Sequence, residues 1–269
     1  MNMKANRKRA ELMIHKENTI APVKLLANTF QEGVNAPQCW LLKTGEQECR
    51  LQFQSGNTAS YLDLVRHWHG ILLLNKVQVE VVSGSVAQQA LPLFALVKLQ
   101  VFIDESKQVQ LKYEQQRVWE CIALDKYPHI VNFNDVERWL LTQCHSRTSE
   151  MALLANFLRR TEWYWLIRYL LNESVNHAKL NELGARYGLS YSHFRRLCRN
   201  ALGNSAKNEM RGWRIARALL DVVEEDQTLT QVAMRYGYAS SSHLSNDIRD
   251  AFGVSPRGLW NMINKKSEE

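Results

Sequence analysis

Two patterns of apolar residues divide this chain. In the first half they alternate with polar ones. Cys49 to Gln54, Lys76 to Val81 and Val97 to Phe102 follow a period of two, and Arg117 to Leu124 is a further candidate. Such alternation, rich in Val, Phe and Trp, predicts half-buried antiparallel strands. The breaks fall at Ser55-Gly56-Asn57, Ser83-Gly84-Ser85 and Asp104-Glu105-Ser106, residues suited to turns. Residues 20–127 therefore read as a mostly β domain, a small barrel or a sandwich, with a cupin-like barrel among its forms. Asn134 or Asp135 can then cap a helix with Val136, Trp139, Leu140 and Cys144 at helical spacing. A polar joint from Thr142 to Ser149 sets the expected domain boundary, giving domains 1–145 and 146–269.

From Glu150 onward the apolar period is helical. Met151, Leu154 and Leu158 mark one helix. Trp163, Leu166, Ile167, Leu170 and Leu171 mark the next. Pro22, Pro37, Pro92 and Pro128 all precede this region, and none lies between Pro128 and Pro256, which suits an unbroken run of helices. The fold class expected is α+β, a β-rich domain followed by an all-α one.

Within the second half the chain repeats itself. Leu183-Gly184-Ala185-Arg186-Tyr187-Gly188 is matched by Val232-Ala233-Met234-Arg235-Tyr236-Gly237. Ser190-Tyr191-Ser192-His193-Phe194 is matched by Ser240-Ser241-Ser242-His243-Leu244, and Gly203 and Ser205 by Gly253 and Ser255. The offset is 49 residues to the glycine and 50 from the serine, so the second turn is one residue longer. Each copy reads as a helix-turn-helix. Gly188 and Gly237 stand where a first helix ends in left-handed geometry. Ser190 and Ser240 stand where a second begins, as N-caps. The units are placed at about 179–202 and 229–252, joined by a helix at about 205–223. A helix of about 18 residues spans roughly 27 Å, against about 34 Å between successive major grooves on one face of DNA.

Charge separates the two copies. The chain carries 34 Lys+Arg and 27 Asp+Glu. Residues 176–223 hold 9 basic and 3 acidic side chains, whereas 224–269 hold 5 and 7. In the first copy, Phe194, Leu197, Cys198 and Ala201 form an inner face. Tyr191, Ser192, His193, Arg195, Arg196 and Arg199 are left as candidate DNA contacts. Three arginines on a short helix repel one another unless phosphates or base edges offset the repulsion, and Arg to guanine is the commonest specific base contact. The second copy offers Ser241, Ser242, Ser245, Asn246 and Arg249, with Asp247 and Asp250 nearby. The first copy is therefore expected to carry most of the affinity and base reading, the second weak or indirect readout or a face toward RNA polymerase.

These residues resemble the AraC/XylS family of transcription activators over roughly residues 160–262. The most specific part is Ala233, Tyr236-Gly237-Tyr238 and Ser240, followed by Phe252-Gly253-Val254-Ser255-Pro256. Trp163-Tyr164-Trp165-Leu166, Tyr191 to Cys198 and Ala201-Leu202-Gly203 are similar to one branch, the InvF-type activators of type III secretion genes. The resemblance implies seven helices with two helix-turn-helix units on a rigid linker. It also implies activation of secretion and effector promoters, with a type III secretion chaperone as co-activator. Three positions depart from the family pattern. Gly212 falls where an Arg usually opens the linker-helix pattern, Ile248 replaces an inner aromatic, and Asp247 and Asp250 are acidic.

The remaining features narrow the partners. No apolar run of 18 residues occurs, so no membrane partner is expected. Met1 to Lys16, with Lys4, Arg7, Lys8 and Arg9, lacks a following apolar stretch and reads as a basic arm rather than a secretory signal, with weak nucleic-acid contact as its alternative. Cys39, Cys49, Cys121, Cys144 and Cys198 are scattered and odd in number, which suits reduced thiols in the cytoplasm. His67-Trp68-His69 with Glu80 suggests a metal site only weakly, and no enzyme motif stands out. No cofactor is expected. The partners expected are promoter DNA, RNA polymerase and the chaperone, and a homodimer is left open. Two other readings stand beside the activator. One is an interaction protein whose β-rich half binds a partner while DNA contact is secondary. The other is a cupin-like domain on a DNA-binding tail, either a small-molecule sensor for metabolism genes or a metal enzyme.

Overall fold

The computed structural model describes residues 20–28, 30–109, 117–143, 149–175, 178–224 and 227–258. The basic arm Met1 to Lys16, Cys144 and most of the polar joint lie outside the described residues. The chain forms two compact units, 1–164 and 165–269. The division thus falls later than the expected boundary at 145.

The first unit is β-rich. Its strands are β1 (Val23–Leu26), β2 (Gln31–Val34), β3 (Gln38–Thr44), β4 (Cys49–Ser55), β5 (Thr58–Leu64), β6 (His69–Leu74), β7 (Val77–Ser83), β8 (Ser85–Ala90) and β9 (Trp119–Ala123). They build two open antiparallel sheets, ordered β1-β8-β3-β6-β9 and β2-β7-β4-β5. Trp40, Leu42, Leu72, Leu74 and Val86 of one sheet meet Leu51, Phe53, Val77, Val79 and Val81 of the other in a shared core. This is a sandwich, with Phe53 stacked on Trp119 at 4.2 Å between ring centroids. The indole N–H of Trp119 donates to Ser60 Oγ at 2.8 Å, so its one polar group is satisfied.

The stretch expected as a strand at Val97 to Phe102 is instead part of helix α1 (Leu93–Ser106). The buried positions Leu93, Leu96, Val97, Gln100, Val101 and Asp104 recur at intervals of three and four, the helical period. Gln100 and Asp104 look like solvent or turn positions in the sequence, but both are buried. Asp104 is only 3% exposed. It accepts from Arg159 Nε (2.8 Å) and Nη2 (2.6 Å), from the Tyr164 hydroxyl (2.9 Å) and from Gln100 Nε2 (3.0 Å). Arg159 ends α3 (Ser149–Arg159), which packs on α1 and β9. These contacts place α3 in the first unit. Helix α2 (Phe133–Gln143) packs on α1 as well, with Asp135 accepting from the backbone N–H groups of Val131 and Asn132.

Helix α4 (Glu162–Glu173) leads the chain into the second unit. There follow α5 (Leu180–Arg186), α6 (Tyr191–Leu202), α7 (Ala206–Glu224), α8 (Leu229–Arg235) and α9 (Ser241–Phe252). Tyr164, Leu166, Ile167 and Leu170 of α4 are fully buried, but Trp165 is 39% exposed, so this aromatic run is only partly core. The Arg168 guanidinium lies 6.0 Å from the Trp165 ring centre.

The two helix pairs, α5 with α6 and α8 with α9, are packed by complementary size. A Cβ added at Gly184 would meet the Phe194 side chain at 3.1 Å. The repeat carries Ala233 and Leu244 at the matching positions, both buried. The large Phe194 ring is matched by no side chain, and the smaller Leu244 side chain by a methyl.

Gly184→Ala should lower stability by about 1–3 kcal/mol through overpacking. Adding Phe194→Leu should return part of that loss, as a double-mutant cycle in urea unfolding would show. In the β-rich unit, Arg159→Leu should cost about 3–5 kcal/mol by leaving a buried carboxylate without its cation. Thermal melting would check this, and the pair Asp104→Leu with Arg159→Leu should melt higher than Arg159→Leu alone.

Candidate nucleic-acid interface

Each helix pair is turned by a glycine. Gly188 has φ +83° and Gly237 has φ +68°, backbone that L side chains rarely adopt. Ser240 caps α9 by accepting from the His243 N–H at 3.2 Å. Ser190 occupies the same N-cap place with extended backbone, but its hydroxyl makes no cap bond and lies 3.5 Å from Ser192 Oγ. Both second helices end on left-handed glycines, Gly203 and Gly253. Ser205 and Ser255 then accept from the N–H three residues on, at Asn208 (3.3 Å) and Gly258 (3.2 Å).

Helix α6 divides its residues sharply. Phe194, Leu197, Cys198, Ala201 and Leu202 are buried. Burial pushes the Cys198 thiol up to about 12, so it stays protonated and inert. Tyr191, Ser192, His193, Arg195, Arg196 and Arg199 are all exposed. On α9, Leu244 and Ile248 are buried, while Ser242, Asn246 and Arg249 are exposed and Ser241 and Ser245 are half-buried. His243 is exposed and stands edge-on to the Tyr238 ring at 5.7 Å.

Most other arginines of this unit have internal partners. Arg186 pairs with Glu173 at 3.0 Å, and Arg235 with Asp221 at 2.8 Å. Arg214 Nε donates to Ser174 O at 2.9 Å, and Arg217 Nη1 to Leu171 O at 3.1 Å. These last two reach carbonyls at the end of α4, where a helix C-terminus leaves acceptors outside the intrahelical ladder; Leu171 O also accepts from Ser174 Oγ at 2.6 Å. Among the described residues no ion pair holds Arg195, Arg196 or Arg199.

The chain is similar to known proteins. Residues 183–261 match the family model described as a helix-turn-helix domain. The chain is 38% identical to the invasion protein InvF of Salmonella typhimurium over 193 residues, 72% of this chain and 89% of InvF. The chain belongs to the AraC family of transcription regulators. It is also 44% identical to the transcriptional regulator MxiE of Shigella flexneri over 129 residues, 47% of this chain and 61% of MxiE. The solved structure of ToxT from Vibrio cholerae, 11% identical, covers 91% of this chain and 98% of its own with a TM-score of 0.36.

In this AraC-family chain Asp247 of α9 is turned toward α7, with its side chain 13% exposed, while Asp250 stands at the open edge of the same contact. Arg211 Nη2 lies 2.6 Å from Asp247 Oδ1 and 3.5 Å from Asp250 Oδ2, and its Nε donates to Asp247 Oδ2 at 3.2 Å. The Tyr238 hydroxyl donates to Asp247 Oδ2 at 3.1 Å. The two acids are visible in the sequence, but their partner Arg211 is not. The available mark was that Asp247 stands where the first pair has the buried Leu197. A cleft of about 980 Å³ lined by Lys179, Leu183, Lys207, Arg211, Tyr238 and His243 lies between the two pairs. In the β-rich unit, His67 sits in a left-handed turn 3.4 Å from Glu46, His69 opens β6 beside Tyr127, and Glu80 lies on β7. Among the described residues no three His, Cys, Asp or Glu side chains are grouped to hold a metal. No described helix is long and apolar enough to cross a membrane.

The Arg211 hydrogen bonds hold the Asp247 carboxyl below its usual range, outweighing its burial, with the Arg211 charge and the Tyr238 hydroxyl adding to them. A depressed carboxylate stabilises the fold fully above its unfolded value near about 4 and loses that share as pH falls through the folded value. Acid unfolding followed by circular dichroism should therefore be shallower below about pH 4 in Asp247→Asn, which has no proton to take up there.

Proposed function

We propose that the chain is a sequence-specific DNA-binding activator of type III secretion genes, working in the cytoplasm. Helices α5–α6 and α8–α9 act as two helix-turn-helix units, and α7 is the linker that spaces them. The observation that carries this reading is the set of three exposed arginines on α6, Arg195, Arg196 and Arg199, in a unit whose other arginines mostly serve the fold. Solvated guanidiniums on one helix face suit a groove lined with phosphates and guanine edges. Tyr191, Ser192 and His193 stand at the start of α6, the end that enters the major groove in helix-turn-helix docking. The span of α7, about 28 Å for its 19 residues, fits neighbouring grooves with some bending of the DNA.

On this reading the first unit carries most affinity and base reading. The second, through Ser241, Ser242, Ser245, Asn246 and Arg249, adds weaker contacts or meets RNA polymerase. The kinship with InvF and MxiE supports secretion genes as targets. A type III secretion chaperone then serves as co-activator through the β-rich unit, where Val23, Leu26 and Val65 are exposed apolar side chains that a partner can cover. Self-association of the β-rich unit as a homodimer is the alternative use of such exposed apolar side chains.

The test is binding of the full chain to a type III secretion promoter duplex, titrated with salt, with and without chaperone. Arg195→Ala and Arg196→Ala should each cost about 1–3 kcal/mol on the specific duplex. An equal or larger loss from Asn246→Ala would overturn the division between the two units. Sequence-blind binding in both arms would overturn the activator reading.

A further inference from the structure

The second recognition helix is fastened to α7 in a way the first is not. Arg211, in the second turn of α7, reaches Asp247 through two atoms and Asp250 through a third contact. Tyr238, from the turn between α8 and α9, closes on the same carboxylate. Tyr238 is itself rooted in the apolar core formed by Ile215, Ala218, Val232, Leu244 and Ile248. Further along α7, Asp221 holds Arg235 at the end of α8. The second pair is thus pinned to α7 at two points ten residues apart, about 15 Å along the axis.

Two points fix a rotation that one point leaves free. This matters because the cleft between the pairs keeps them apart alongside the first turns of α7, and Arg211 forms part of its wall. In the first pair the place of Asp247 is taken by Leu197 and that of Asp250 by Asn200, and among the described residues no ion pair ties α6 to α7. The bidentate Arg–carboxylate geometry also defines direction, because a planar fork fits a carboxylate in few orientations.

We infer that Arg211 is a positioning residue that sets the angle of α9 relative to α6, so that the protein accepts its two DNA tracts at one spacing only. Asp247 and Asp250 are its anchors and take no part in base reading. The inference rests on the two-unit DNA-reading proposal above.

The test compares three duplexes. The first is a type III secretion promoter duplex whose two contacted tracts are located by hydroxyl-radical footprinting of the wild-type full chain. The second has two base pairs inserted between those tracts. The third has the tract under α9 scrambled. Wild type should prefer the first over the second by about tenfold or more. Asp247→Asn and Arg211→Met should lose most of that preference while binding the third duplex as wild type does. The charge exchange Arg211→Glu with Asp247→Arg should restore it in part. A merely structural role would weaken binding to all three duplexes alike.

If Asp247→Asn and Arg211→Met keep the wild-type spacing preference, the positioning role is wrong. If wild type protects only one tract, the positioning role is wrong while DNA reading stands. If wild type shows no sequence preference at all, the DNA-reading proposal itself fails. Should Arg211→Met melt at a markedly lower temperature than wild type, Asp247→Asn and the exchange pair decide the matter, since both keep hydrogen-bonding groups in place.

Discussion

A guanidinium carries five donors and no acceptor, so each one must find carbonyls, carboxylates, phosphates or water. In the helical unit this requirement organises the architecture around α7. Arg214 and Arg217 donate to carbonyls at the end of α4. Arg211 grips the two acids of α9, and Asp221 receives Arg235 from α8. The long helix is therefore joined by charge-assisted bonds to the elements on either side. Those bonds leave Arg195, Arg196 and Arg199 of α6 as exposed cations of the unit.

The β-rich unit meets a similar constraint in its interior. Asp104 is buried, and a lone carboxylate there would be costly. Two bonds from Arg159, one from Tyr164 and one from Gln100 make it tolerable and at the same time tie α3 and the start of α4 to α1. The sandwich core beside it is apolar and two-sided, fed by alternate residues of both sheets. One buried network and one dry core thus divide the tasks of orientation and burial.

The two helix pairs show how a duplicated motif diverges without losing its turn. Both retain a left-handed glycine, an extended serine and a closing Gly-x-Ser. What changes is what fills the space. Gly184 with Phe194 is matched by Ala233 with Leu244, and Leu197 by Asp247. The first change conserves volume. The second exchanges an apolar contact for an ionic one, and with it a basic helix face for one whose acids are already paired.

The local elements of the second half are written in single residues and their spacing. Gly188, Gly237, Gly203 and Gly253 punctuate the helices because only glycine takes positive φ without strain, a property of single residues. The helical period from 206 to 224 and the face of α6 that carries Arg195, Arg196 and Arg199 follow from spacing in the same way. In the first half, β4, β7 and β9 were legible from alternation. Helix α1 was not, because Val97 to Phe102 alternates while its true burial period shows only when Leu93 and Asp104 are included. The tertiary structure alone decided that Asp104 is buried, that Ser190 makes no cap bond, and that Asp247 and Asp250 face Arg211 from 36 and 39 residues away. A residue's period is written into its neighbours along the chain, but its ionic partner is chosen by packing, and packing brings together residues whose separation no local pattern records.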